Sequence, residues 1–332
     1  MPQNSFKAGI LGTGSFLPEN RLTNADLEKM VDTSDEWIVS RTGIRERRIA
    51  DASMTTSYMA TEAAKKALID ANISAKDIDL IIIATVVPDM NFPSTACIVQ
   101  ANIGADNAAA FDIEVGCSGF IYGLSIAKQF IENGTYKNIL VVAADTLSKI
   151  TNWEDRNTCV LFGDGAGAAI VGPVENGYGI LDTYIGADGK GGKHLYMPAG
   201  GSRMPASEDS VKNKLHTIHM EGQEVFKFAV KVMNTATIEI LDKCGLKPDD
   251  IDIFIPHQAN IRIIEAGMKR LKLTNEKVFI NLDKYGNMSA ASVAVALDEA
   301  SKEGMVKKDN IILMVAFGAG LTWGSTVIKW NK

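Results

Sequence analysis

The chain has 332 residues, 46% of them hydrophobic and 22% charged, the balance of a globular protein with enough apolar material for a sizeable core. That length admits two ordinary domains or one large double domain. The formal net charge of -6 weighs against general nucleic-acid binding, so any acidic partner has to be met by a local basic patch.

The first residues, MPQNSFKAGILGTGSF, lack a charged region followed by a long apolar run, so no signal peptide is expected. No later window approaches the ~20 apolar residues of a membrane-spanning helix, and a cytoplasmic protein without membrane insertion is expected. GTGS at 12–15 hints at a dinucleotide loop, but its third glycine is missing and Pro18 interrupts any following helix; the match is rejected. A basic cluster follows at 37–48, with Arg41, Arg45, Arg47 and Arg48 beside Trp37. It is either a solvated face or a phosphate-holding patch with a stacking surface. Apolar spacings of three and four predict helices over 59–71, 225–244 and 261–273, the last carrying Arg262, Lys269, Arg270 and Lys272. Short Ile- and Val-rich runs at 80–87, 139–144, 253–255 and 311–317 predict buried strands. The segment 188–219, rich in Gly, Lys and Ser, reads as a loop holding His216 and His219 near the surface. The four cysteines (Cys97, Cys117, Cys159, Cys244) are widely spaced and expected reduced, and neither they nor the four histidines suggest a metal site.

Alternation of strands and helices argues α/β layering. The two halves also resemble each other: KDIDLIII (76–83) matches DDIDIFIP (249–256), residues 111–134 match 281–304, and NILVVAADT from Asn138 matches NIILMVAFG from Asn310. Three matches in one order predict a duplicated unit, with halves 1–174 and 175–332. In this alignment Cys117 and Asn287 fall on equivalent strand-to-helix junctions, each after a glycine, and His257 ends its strand where the first half has Ala84. Ligands of open α/β sheets collect at such strand ends.

Each of the three residues has a bland and a chemical use. Cys117 in VGCSGF, at a helix start that would favour a thiolate, is either a nucleophile or a small buried hydrophobe. His257 in IPHQAN is either a donor through Nε2 or a satisfied core histidine. Asn287 in YGNMSAAS either caps its helix or offers its amide to a thioester oxygen. The glycines of FGDGAGAA (162–169) and FGAGLTWG (317–324) serve an oxyanion hole or close strand-to-helix packing.

The segments DEWIVSRTGIRERR, VGCSGF, NWEDRNTCVLFGDGAGAA, IPHQAN, YGNMSAAS and FGAGLTWGS together resemble the β-ketoacyl-acyl-carrier-protein synthase III family, in order from Gly9 to Trp330. The resemblance implies a thiolase-like, five-layered αβαβα fold of two similar halves, a homodimer, and the step that initiates type II fatty-acid synthesis. In that step a short acyl-CoA primer acylates a cysteine, and malonyl-acyl-carrier protein then condenses with loss of CO2. No cofactor beyond the CoA thioester substrate and no metal is implied. By motif, Cys117 resembles the nucleophile, His257 and Asn287 the groups that hold the malonyl thioester carbonyl, and the backbone amides of Cys117 and Ala319 the oxyanion hole. Trp37 and Arg156 resemble an adenine-sandwiching pair, with Arg41 and Asn260 among the CoA contacts. Lys227, Arg262, Lys269 and Arg270 fall where the carrier protein or CoA docks. Phe92 resembles the residue that reaches the partner's primer pocket, and Phe317 lies beside the nucleophile. Many family members carry glycine where Ala319 stands. A starter-loading relative from secondary metabolism and a Cys-His-Asn hydrolase are the competing expectations.

Overall fold

The computed structural model describes residues 7–332. Its principal elements, in chain order, are β1 (Lys7–Phe16), α1 (Asp35–Thr42), α2 (Thr56–Ala71), β2 (Leu80–Ala84), β3 (Ala109–Ile113), α3 (Gly119–Glu132), β4 (Ile139–Thr146), β5 (Asp164–Val174), β6 (Gly179–Ala187), α4 (Gly222–Cys244), β7 (Ile253–Pro256), α5 (Ile261–Leu271), α6 (Ala291–Lys302), β8 (Ile311–Gly318) and β9 (Thr322–Lys329).

The first sheet runs β1-β5-β4-β2-β3, with β2 parallel to both β3 and β4 and the other pairings antiparallel. The second runs β6-β9-β8-β7, with only β7 and β8 parallel. Where the first sheet has β3, the second keeps a single parallel bridge between Phe254 and Val278. The order and strand directions are therefore the same twice over.

Strands alternate their side chains between faces, and here both faces are covered. In β2, Ile82 enters the central core, whereas Ile81 and Ile83 enter an outer one. The central layer holds α3 and α6: Phe120, Ile121, Leu124, Val293, Ala294 and Leu297 pack among strand residues of both sheets. Outside the first sheet, α2 lays Met59, Ala63 and Ala67 on Ile81, Leu140 and Val142. Outside the second, α4 and α5 cover Phe254, Leu313 and Val315 with Met233, Ile240 and Ile264. The result is five layers, αβαβα.

Glycines mark the repeat. Gly116 and Gly286, ahead of α3 and α6, have φ of 55° and 66°; Gly134 and Gly304, after those helices, have 77° and 73°. All four occupy the left-handed region that a side chain makes costly. The GTGS segment lies inside β1, and its glycines serve packing. A Cβ on Gly14 would stand 2.4 Å from the Ala63 carbonyl oxygen of α2. The stretch 188–219 carries more structure than a loop, with a short helix at Glu208–Lys212 and a ribbon pairing Leu195–Tyr196 with His219–Met220. His216 bonds Ser210 at 2.9 Å within it.

Candidate active site

Cys117 sits in a tight turn, Gly116–Ser118, between β3 and α3. The left-handed Gly116 turns the chain there, and the end of β8 closes on it. A Cβ on Gly318 would lie 2.4 Å from the Cys117 nitrogen, and one on Gly116 would lie 2.7 Å from the Ala319 nitrogen. The Gly116–Cys117 and Gly318–Ala319 backbones thus pack together with no side chain between them. The Thr322 hydroxyl holds them so, 2.7 Å from the Val115 carbonyl and 3.0 Å from that of Ala319. Ala319 is absent from the non-glycine residues of positive φ; Gly320 takes that conformation, with φ 133°. Alanine is accordingly unstrained at position 319.

The thiol differs from the sequence expectation. α3 begins two residues after Cys117, and only 9% of the cysteine surface is exposed. Burial pushes the thiol pKa up to about 12, the nearby Asp145 charge adds to the rise, and the Ser289 hydroxyl only partly offsets it. Desolvation of the buried sulfur is the largest of these effects and opposes ionisation of the thiol.

His257 directly follows β7, its N–H continuing the parallel ladder to Val315 O at 2.8 Å. Its ring is buried and meets Phe317 edge-on, with centroids 5.2 Å apart at 76°. Burial lowers its pKa to about 3, so the imidazole is neutral near pH 7. Its Nδ1 is buried without a partner among the described residues. Phe317 precedes Gly318, so one strand end touches both the imidazole and the cysteine backbone.

Asn287 does not cap α6, whose first turn lacks a side-chain cap. Its backbone is clamped instead, with N–H to Leu161 O at 2.9 Å and C=O from Gly163 N at 3.0 Å. Its Oδ1 accepts the Ser289 N–H at 2.9 Å. Because that bond takes the oxygen, the carboxamide is left with its Nδ2 donors free to point elsewhere. Ser289 reaches this position through a left-handed φ of 52°, and its hydroxyl faces Cys117. Cys117, His257 and Asn287 are thereby connected through Gly318, Phe317 and Ser289.

The basic residues divide. Arg47 is fully buried, donating to Leu22 O, Asn24 Oδ1 and Val160 O at 3.2, 2.9 and 2.7 Å, and Arg48 donates to Pro18 O. Arg47 is thus not available to a ligand and Arg48 is half-buried, which corrects the reading of 37–48 as one patch; Arg41 and Arg45 remain exposed. Asn260 caps α5 by accepting from Arg262 N at 2.9 Å and donates to Arg41 O at 3.0 Å. Arg262 stacks on Phe226 at 5.2 Å, beside Lys227, which pairs with Glu224. Arg41, Asn260 and Arg262 are therefore neighbours, with Lys227 exposed on α4 and Lys269 and Arg270 exposed at the far end of α5. The Arg156 guanidinium lies over the Trp37 ring at 4.5 Å, with Asp32 at 3.7 Å. Phe92 is 84% exposed and stands apart from the buried group, whereas Phe317 is inside it. Among the described residues no cluster of His, Cys, Asp or Glu could hold a metal ion, and no helix is long and apolar enough to cross a membrane.

Family models for 3-oxoacyl-[acyl-carrier-protein (ACP)] synthase III match residues 111–189, and for its C-terminal part residues 241–330. The β-ketoacyl-[acyl-carrier-protein] synthase III of Caldanaerobacter subterraneus subsp. tengcongensis is 75% identical over 325 residues, 98% of either chain. The chain belongs to the β-ketoacyl-acyl-carrier-protein synthase III family. The synthase III of Clostridioides difficile is 59% identical over 98% of this chain and 99% of its own. Among solved structures, that of Aquifex aeolicus synthase III superposes with a TM-score of 0.90 at 51% identity, covering 98% of this chain and all of that one. The priming β-ketosynthase of the R1128 polyketide pathway reaches 0.92 at 35% identity, over 100% of this chain and 98% of that one. Within this synthase III family fold, Ser289, Thr322 and Asp145 lie at the site beyond the residues expected from the sequence. Asp145 had a visible signal, as the one charged residue in the apolar run ILVVAADT.

Proposed function

We propose that this buried site transfers a short acyl group from acyl-CoA to Cys117 and condenses it with malonyl-acyl-carrier protein, releasing CO2 and giving 3-oxoacyl-carrier protein, the opening step of type II fatty-acid synthesis. The observation that carries this reading is the pairing of a fixed amide donor with a neutral imidazole. Loss of CO2 from a malonyl thioester leaves an enolate, whose oxygen needs hydrogen-bond donors and no strong base. Ser289 N–H, by occupying the Asn287 oxygen, turns the Asn287 Nδ2 into such a donor. His257, held neutral by burial, supplies an N–H without the charge that would bind the malonyl carboxylate and resist decarboxylation.

The roles divide between the two chemical steps. The Cys117 sulfur attacks the acyl-CoA carbonyl, and the adjacent Cys117 and Ala319 amides stabilise the oxyanion. CoA leaves as the thiolate. After decarboxylation the enolate carbon attacks the acyl-cysteine carbonyl, the same amides serve again, and the cysteine sulfur is expelled. Arg41, Asn260, Arg262 and Lys227 suit CoA phosphates and an acidic carrier protein, and Trp37 with Arg156 suits the adenine. The exposed Phe92 supports pairing of two copies, each covering the other's primer pocket.

The cysteine-hydrolase alternative requires a Cys–His ion pair, which an imidazole with a pKa near 3 beside a thiol with one near 12 disfavours. Identity of 75% to a synthase III against 35% to the polyketide priming enzyme favours the fatty-acid assignment. The deciding experiment is incubation with radiolabelled acetyl-CoA followed by peptide mapping. Label on the peptide holding Cys117, and none in Cys117→Ala, is expected; label elsewhere or nowhere would exclude the acyl-cysteine.

A further inference from the structure

Asp145 is fully buried next to the last residue of β4, and no cation pairs with its carboxyl among the described residues. One oxygen is saturated: Oδ1 accepts from Thr85 Oγ1 at 2.8 Å, Val86 N at 2.8 Å and Val87 N at 3.2 Å. The other, Oδ2, is buried with no partner, and so is the Ser289 hydroxyl. These two vacant groups are neighbours. The Ser289 hydroxyl lies within reach of both the Asp145 carboxyl and the Cys117 thiol and favours the ionised form of each. Close packing fixes the arrangement, since a Cβ on Gly119 would lie 2.5 Å from Ala84 Cβ and 3.1 Å from Ala290 Cβ, drawing the Cys117 turn, the end of β2 and Ser289's neighbour together. Unsatisfied buried polar atoms are rare enough to need a cause, and a proton in transit is one.

We propose that Ser289 and Asp145 form a proton relay that takes the Cys117 proton during acylation and returns it when the cysteine is released. The inference rests on the acyl-transfer reading above. As the sulfur–acyl bond forms and the acyl–CoA bond breaks, the thiol proton passes to Ser289 Oγ, and the Ser289 proton passes to Asp145 Oδ2. The negative charge moves from Asp145 to the departing CoA thiolate, which water protonates. Asp145 then stays neutral through decarboxylation, so no buried anion opposes the enolate. When condensation expels the Cys117 thiolate, the proton returns along the same path. The cycle consumes one proton from water, as the overall reaction demands. Ser289 touches the reacting sulfur and is catalytic; Asp145 acts through it and is a positioning residue.

The titratable group that faces Asp145 is Cys117. Asp164, opposite Thr146 on β5, turns to Ala50 and Ser148 instead, and the low pKa of His257 has burial as its only cause. Burial raises the Asp145 pKa to about 6, so the acceptor form prevails at neutral pH and is lost as the pH falls through that value.

The test is the burst of CoA released from acetyl-CoA by the full chain, followed from pH 5 to 9, together with the rate of iodoacetamide alkylation of Cys117. Wild-type release should rise through an inflexion near pH 6. Asp145→Asn and Ser289→Ala should each lose that inflexion and slow release at pH 7 by about 10²-fold, the lower end of general acid–base catalysis, and the double variant should be no slower than either single one. Alkylation should be no slower in Asp145→Asn, because a repelling charge has gone from beside the thiol. Acyl transfer that is unchanged, or that rises together with alkylation, overturns the relay, as does a fall in both rates with the inflexion retained. Should Asp145→Asn fail to fold, the pH profile of Ser289→Ala decides alone. Failure of the wild type to release CoA would instead sink the acyl-transfer reading itself.

Discussion

Asn287 and Ser289 stand two positions apart and divide the work of one donor. The serine backbone takes the carboxamide oxygen, so the asparagine presents nitrogen. Asn287→Ala should still be labelled by acetyl-CoA but release CO2 from malonyl-carrier protein some 10²–10³-fold more slowly, the cost of one oxyanion donor of ~2.7–4 kcal/mol. Undiminished CO2 release, measured with a labelled malonyl carboxyl group, would remove the role. The sequence offered Asn287 as helix cap or amide donor, and motif resemblance chose between them. It could not show the Ser289 bond, because a serine reaching back from a left-handed backbone leaves no periodic signature. Nor could it foresee that Arg47 is buried: in a string of four arginines, only tertiary packing selects the one whose guanidinium meets three main-chain and side-chain oxygens. For Cys117, helix polarity is visible in VGCSGF and the depth of burial is not.

β8 brings an imidazole and a cysteine into one place through consecutive residues. Phe317 meets the His257 ring, and Gly318 lies so close to Cys117 that a methyl group has no room. The blocking atoms are backbone, which cannot swing aside. Gly318→Ala should therefore displace the Cys117 turn and reduce acylation by at least about 10²-fold, in line with the sensitivity of near-attack geometry. Gly104→Ala, where a Cβ meets open space but φ is 69°, should lose only stability, about 1 kcal/mol. Comparing CoA release and thermal midpoints of the two variants separates the effects; equal loss of activity would refute the argument from contact. The repeated elements were readable because identical constraints leave identical residues, here left-handed glycines at 116, 134, 286 and 304. The stretch 188–219 was misread as a loop because its helix and ribbon are too short to build a periodic pattern.

At the level of the whole chain, a net charge of -6 coexists with exposed Arg41 and Arg262 brought together around Asn260, so attraction of an acidic partner would be local. Arg262→Glu should raise the KM for malonyl-carrier protein by about 10-fold or more, the effect expected for a close charge pair, and leave that for malonyl-pantetheine nearly unaltered. Equal changes in both constants would show that the residue does not meet the carrier. Two sheets of one topology were foreseeable from the internal repeat, while the meeting of α1 and α5 around Asn260 depends on packing that no local pattern records. Elsewhere on the surface, the guanidinium of Arg156 sits over the indole of Trp37. Any planar ring seeking a place between them must first wedge the couple open, losing their mutual attraction before gaining its own. A molecule moored by its other end would meet that cost more readily than a loose aromatic solute.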